Sequence, residues 1–133
     1  MKRRPISDKS SLSGIRRAIR ADLSSVRADA SLSFDCLVAV TEACTNALLH
    51  GRSTKDGHAP MLSWQVDEQG ATFCVEDFSA EKWAMSNHPS RSFDSLRTGL
   101  NHDLGLELMQ DLMDEVVVDN VPRGTTVTLT KRF

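Results

Sequence analysis

Apolar residues at Leu12, Ile15, Ala18, Ile19, Leu23 and Val26 recur at three- and four-residue spacing, which predicts an amphipathic helix over about 12–26. Its opposite face carries Arg16, Arg17 and Arg20. A second helix is expected over about 34–49, with Phe34, Leu37, Thr41, Cys44 and Leu48 as its buried stripe. Ser31 and Ser33 offer N-caps, Asp35 falls where the positive helix end favours an acid, and Gly51 supplies a stop. Residues 61–66 then alternate (Met61, Ser63, Gln65 against Leu62, Trp64, Val66), 67–70 turn, and 71–76 return as a hairpin. Leu104, Leu108, Met109, Leu112 and Met113 mark a third helix, followed by strands over 115–119 and 125–131 around a turn at 120–124.

Two stretches lack a period. Residues 1–10 are polar and basic with Pro5, a flexible lead-in or a short edge strand. Residues 78–101 are rich in Ser and Asn, and a stretch this long without a pattern reads as a lid or a disordered segment. The expected organisation is a flexible basic segment over 1–11 and one domain over 12–133, with a lid at about 78–101. Helices and strands are too segregated for alternating βαβ units. The expectation is α+β: a two-layer sandwich with a mixed, mostly antiparallel sheet and helices on one face.

Composition narrows the class without naming it. A length of 133 residues suits one domain that needs no metal or disulfide staple. A net charge of -2 gives no general pull toward nucleic acid or membrane. The charge is uneven, since Lys2, Arg3, Arg4, Lys9, Arg16, Arg17 and Arg20 face only Asp8 in the first twenty residues. That cluster is either a solvated basic arm or a docking surface for an acidic protein. Cys36, Cys44 and Cys74 show no CxxC pairing, so reduced thiols in a cytoplasmic protein are expected. No apolar run approaches the ~18 residues of a membrane span, and no signal-peptide pattern follows Met1.

Candidate chemistry centres on one helix. Glu42, Asn46 and His50 stand four apart, so they form one slightly drifting row, with Ala39, Ala43 and Ala47 around it. The carboxylate can take a proton or orient water, and the carboxamide oxygen can ligate a hard ion such as Mg2+. A solvated face with i,i+4 hydrogen bonds explains the same spacing. Asp77 ends a strand, either as a turn former or as an acceptor for the exocyclic amine of a base. Gly99 and Gly105 bracket the start of the third helix, where backbone amides can hold phosphate oxygens.

Three segments together carry a resemblance. AVTEACTNALLHG (39–51) resembles the N-box of histidine-kinase-like (GHKL) ATPases, LGLELMQDLMDEVVVDN (104–120) their second glycine box and following strand, and GTTVTLTK (124–131) their final strand. The order and spacing match over roughly 12–131, and the form is most similar to anti-sigma factor serine/threonine kinases. The resemblance implies a Bergerat sandwich that binds ATP and Mg2+. By that pattern Glu42 is the general base, Asn46 the Mg2+ ligand, and Asp77 the reader of the adenine amine with Thr125 beside it. Gly105 and Leu106 present backbone to the phosphates, and Gly99 hinges the lid. Such a protein binds a sigma factor and phosphorylates an anti-sigma factor antagonist, as a homodimer, without touching nucleic acid or membrane.

The chain departs from the family at two places. The first glycine box reads Asp77-Phe78-Ser79-Ala80, and the first glycine of the second box is Asp103. The alternative reading is therefore a non-catalytic or weakly ATP-binding module that sequesters a protein partner.

Overall fold

A computed structural model describes residues 1–51, 59–78, 101–122 and 124–133. Their elements are β1 (Lys2–Pro5), α1 (Ser11–Ser25), α2 (Ala30–Gly51), β2 (Met61–Asp67), β3 (Gly70–Asp77), α3 (Asn101–Leu112), β4 (Glu115–Val121) and β5 (Gly124–Arg132). The strands form one sheet in the order β1-β2-β3-β5-β4. Among the described residues all four pairings are antiparallel, so the sheet is antiparallel as mainly expected but not mixed.

Register explains the core. Opposed residues on antiparallel strands share a face, and alternate residues share the next row. Phe73 pairs with Leu129 and Leu129 with Val116; Val75 pairs with Val127 and Val127 with Val118. Phe73, Val75, Val127 and Leu129 are buried, together with Leu62 and Trp64 on β2. The helices complete the same core with Leu12, Ile15, Ile19 and Leu23 from α1, Cys36, Ala39, Val40, Ala43, Cys44 and Ala47 from α2, and Leu106 and Met109 from α3. Segment 30–49 of α2 is long and apolar enough by composition to cross a membrane. Here its inward stripe is part of the core.

Three expectations need correcting. Of the two readings of residues 1–10 the short edge strand holds and the flexible segment does not: β1 pairs with β2 from Lys2 opposite Trp64 to Pro5 opposite Met61, and Ile6 is buried. Backbone pairing and one apolar anchor hold a strand whose side chains are all exposed. The cap of α2 is Asp29, whose Oδ1 accepts from the Ser31 amide at 2.8 Å, so the helix begins a turn earlier than Ser33 implied. Phe34 lies 64% exposed rather than in the stripe, which lies on a different face of the helix and runs through Cys36, Ala39, Val40, Ala43 and Ala47. The proposed lid falls almost wholly outside the described residues.

Two polar ties fix the layers. Lys131 Nζ lies 3.2 Å from Asp35 Oδ2 and donates to the Leu112 carbonyl, binding β5 to the start of α2 and to the C-terminus of α3. A cation at a helix C-terminus also complements the helix dipole. Asp22 on α1 accepts from Lys2 Nζ at 2.6 Å and from Trp64 Nε1 at 2.8 Å, tying α1 to β1 and β2.

Burial pushes the Asp22 carboxyl up, but the hydrogen bonds from Lys2 and Trp64 and the Lys2 charge outweigh it and hold it below 3.8. A depressed carboxyl stabilises the fold fully above its unfolded value, and that contribution is lost as pH falls through the folded one. Melting temperature should therefore drop more steeply between about pH 5 and about pH 3 in the wild type than in Asp22→Asn. Parallel pH profiles for the two proteins would show that the tie contributes nothing.

Candidate functional site

The apolar rows of the sheet end in a polar one. Beyond Val75, Val127 and Val118, the next row on the same face is Asp77 on β3, Thr125 on β5 and Asn120 on β4. Asp77 is 3% exposed and Thr125 1% exposed, whereas Asn120 is exposed. The Thr125 hydroxyl donates to Asn120 Oδ1 at 3.0 Å. A carboxylate used only as a turn former would sit in water. This one closes the core face.

Gly124 sets that end of the sheet. Its φ is +154°, and a Cβ there would overlap the Asp77 carbonyl and lie 2.9 Å from the Phe78 Cα. Only a residue without a side chain lets β5 start this close to the end of β3.

The second half of the site is on α2 and α3. Asn46 is 3% exposed, and its buried Nδ2 has no hydrogen-bond partner among the described residues. Gly105 lies directly above: a Cβ on it would stand 3.0 Å from Asn46 Nδ2 and 3.0 Å from Glu42 Oε2. Glu42 is half-buried. The structure therefore brings Glu42, Asn46 and Gly105 together, with only hydrogen on the glycine facing the two polar groups.

The tie between Lys131 and Asp35 places the start of α2 beside the end of β5.

Leu106 contributes its side chain to the core at 3% exposure. Gly99 lies outside the described residues. Ala39, Ala43 and Ala47 are fully buried core residues rather than an open approach to the helix. Burial pushes the Cys44 thiol up to about 12 and the Cys36 thiol up to about 11, so neither is a nucleophile at neutral pH. Asn120 and Gly124 read as turn residues in the sequence, and the register that puts Asn120 opposite Thr125 gives the first a place in the polar row.

A buried amide without a partner among the described residues, a carboxylate beside it and a glycine over both form a cradle for a polar ligand. The carboxamide presents either its oxygen or its nitrogen by rotating about its last side-chain bond, so the position suits a ligand to a hard cation.

The chain belongs to the histidine kinase-like ATPase domain family, whose sequence profile matches residues 6–131. Among curated relatives it is similar to the serine-protein kinase RsbW of Bacillus licheniformis, 35% identical over 126 residues that cover 85% of this chain and 75% of that one. RsbW of Bacillus subtilis is likewise 35% identical, with the same coverage. The anti-sigma F factor of Clostridium novyi is 28% identical, covering 74% of this chain and 70% of its own. A chain from the SiaB-SiaC complex of Pseudomonas aeruginosa shares the fold, with a TM-score of 0.70 over 100% of this chain and 89% of that one at 12% identity.

Proposed function

We propose that this protein is an ATP-dependent serine/threonine protein kinase and anti-sigma factor. It holds a sigma factor and phosphorylates the antagonist that would otherwise displace it. The observation that carries the reading is the bare approach of Gly105 to Glu42 Oε2 and to Asn46 Nδ2, which has no partner among the described residues. Similarity to RsbW kinases and to an anti-sigma F factor supports the same function.

In this reading Glu42 takes the proton of the attacking hydroxyl as general base. Asn46 turns its amide oxygen to a Mg2+ ion, which supplies charge neutralisation at the phosphates. Gly105 and Leu106 offer backbone to the phosphate oxygens, and Gly105 leaves room for them. Asp77 accepts from the adenine amine, with Thr125 beside it. Residues 78–101 act as the lid of the catalytic domain, with Gly99 as the hinge. The protein works in the cytoplasm as a homodimer.

A glycine-free first box, Asp77-Phe78-Ser79-Ala80, favours a second reading in which the chain captures its partner with little or no ATP turnover. Calorimetric titration with ATP separates the two. The kinase reading expects binding that strengthens with Mg2+ and weakens in Gly105→Ala, where the added methyl fills the cradle. Absence of ATP binding in a wild type that still captures a sigma factor establishes the second reading instead.

A further inference from the structure

We infer that Asn120 is a positioning residue that makes this end of the sheet select a 6-amino purine nucleotide over its 6-oxo counterpart. The inference rests on the nucleotide-binding reading above and names a residue which that reading does not use.

A threonine hydroxyl has one proton and two acceptor sites. The Thr125 proton is directed to Asn120 Oδ1 at 3.0 Å, and that oxygen can only accept. What Thr125 has left for a neighbour is therefore lone pairs. Asp77, opposite Thr125 on β3, is an acceptor of the same kind while ionised. Together they offer acceptors to the ligand side, which suits an exocyclic amine with its two N–H groups. A keto oxygen in the same place meets lone pairs and no donor.

Burial gives Asn120 its leverage. Thr125 is 1% exposed, so a hydroxyl released from Asn120 has Asp77 beside it and the ligand as acceptors, and its proton is no longer committed away from the ligand. As a donor it would then accept a 6-oxo base. Asn120 itself is exposed at the end of the outermost strand, so replacing it neither hollows the core nor removes a charge.

A purely structural role for this cross-strand pair would affect all nucleotides alike. The test is therefore a ratio. Dissociation constants of ATP and inosine triphosphate, both with Mg2+, would be measured by calorimetry for the wild type, Asn120→Leu and Asn120→Asp, alongside thermal melts. The wild type should prefer ATP. Asn120→Leu should narrow that preference by about three- to tenfold, the worth of one ordinary hydrogen bond. Asn120→Asp keeps an acceptor oxygen in place and should retain the preference.

Equal weakening of both nucleotides in Asn120→Leu, with the ratio unchanged, overturns the inference while leaving the nucleotide site standing. Loss of selectivity in Asn120→Asp as complete as in Asn120→Leu also overturns it. A wild type that binds neither nucleotide removes the nucleotide reading, and this inference with it.

Discussion

Replacing Glu42 with alanine should slow phosphoryl transfer by about 10²–10⁴-fold, the range for loss of a positioned general base. ATP affinity should stay within about threefold of the wild type. The division follows from the site. A base acts on the attacking hydroxyl, which is absent from the binding equilibrium, while an ion ligand acts on the nucleotide complex itself. Asn46→Ala should accordingly show the opposite profile, with Mg2+-dependent ATP binding lost and Mg2+-independent binding little changed. Single-turnover phosphotransfer and calorimetry on both variants measure the difference. Because Gly105 touches both side chains, a single disturbance of that glycine could imitate either one. Equal loss of nucleotide binding in the two variants would mean that the roles are wrongly divided.

The largest effect on stability is expected at Gly124. An added Cβ overlaps the Asp77 carbonyl and crowds Phe78, and the backbone angle of +154° is itself costly for any residue with a side chain. Strain and overpacking together should cost Gly124→Ala about 3 kcal/mol. For a chain of this size that is a fall of about 10 °C in melting temperature. Gly14→Ala is the control, because its added Cβ meets nothing nearer than Arg4 Nη1 at 3.8 Å at a half-buried position of α1. That change should be neutral or stabilise by up to about 1 kcal/mol through helix propensity. Similar melting curves for the two variants would show that β5 can shift away from Asp77 without loss.

Elements with a strong period were legible in the sequence. The β2–β3 hairpin follows from strict alternation around Asp67, and α1 from the spacing of Leu12, Ile15, Ile19 and Leu23. Cross-chain pairing was harder to read. β1 has neither alternation nor apolar side chains, and exists because its backbone completes the β2 edge. Phe34 shares a helical spacing with Leu37, Cys44 and Leu48, but packing turns the face of Cys36, Ala39, Val40, Ala43 and Ala47 to the core, which local spacing does not decide. Asp29 rather than Ser31 or Ser33 caps that helix, and Asp35 serves a lysine that is distant in sequence. Within the site, Glu42 and Asn46 were visible as a four-residue repeat on one helix. That Gly105 would lie over both, or that Asn120 would face Thr125, depends on packing and register, which no local pattern encodes.

The strand order has a consequence for how the molecule is made. β5 lies between β3 and β4, so neither neighbour has its inner partner until residues 124–132 are in place. Before then the growing chain has the β2–β3 hairpin with one edge unpaired, and β4 has no sheet to join. The polar row at the end of the sheet also lacks its middle member, since Thr125 arrives with the same segment. Such a chain cannot ripen gradually on the ribosome. Sheet closure and completion of its polar row fall together, at the insertion of one strand between two that wait for it. The open edges of β3 and β4 are the surfaces that aggregation would use in the interval.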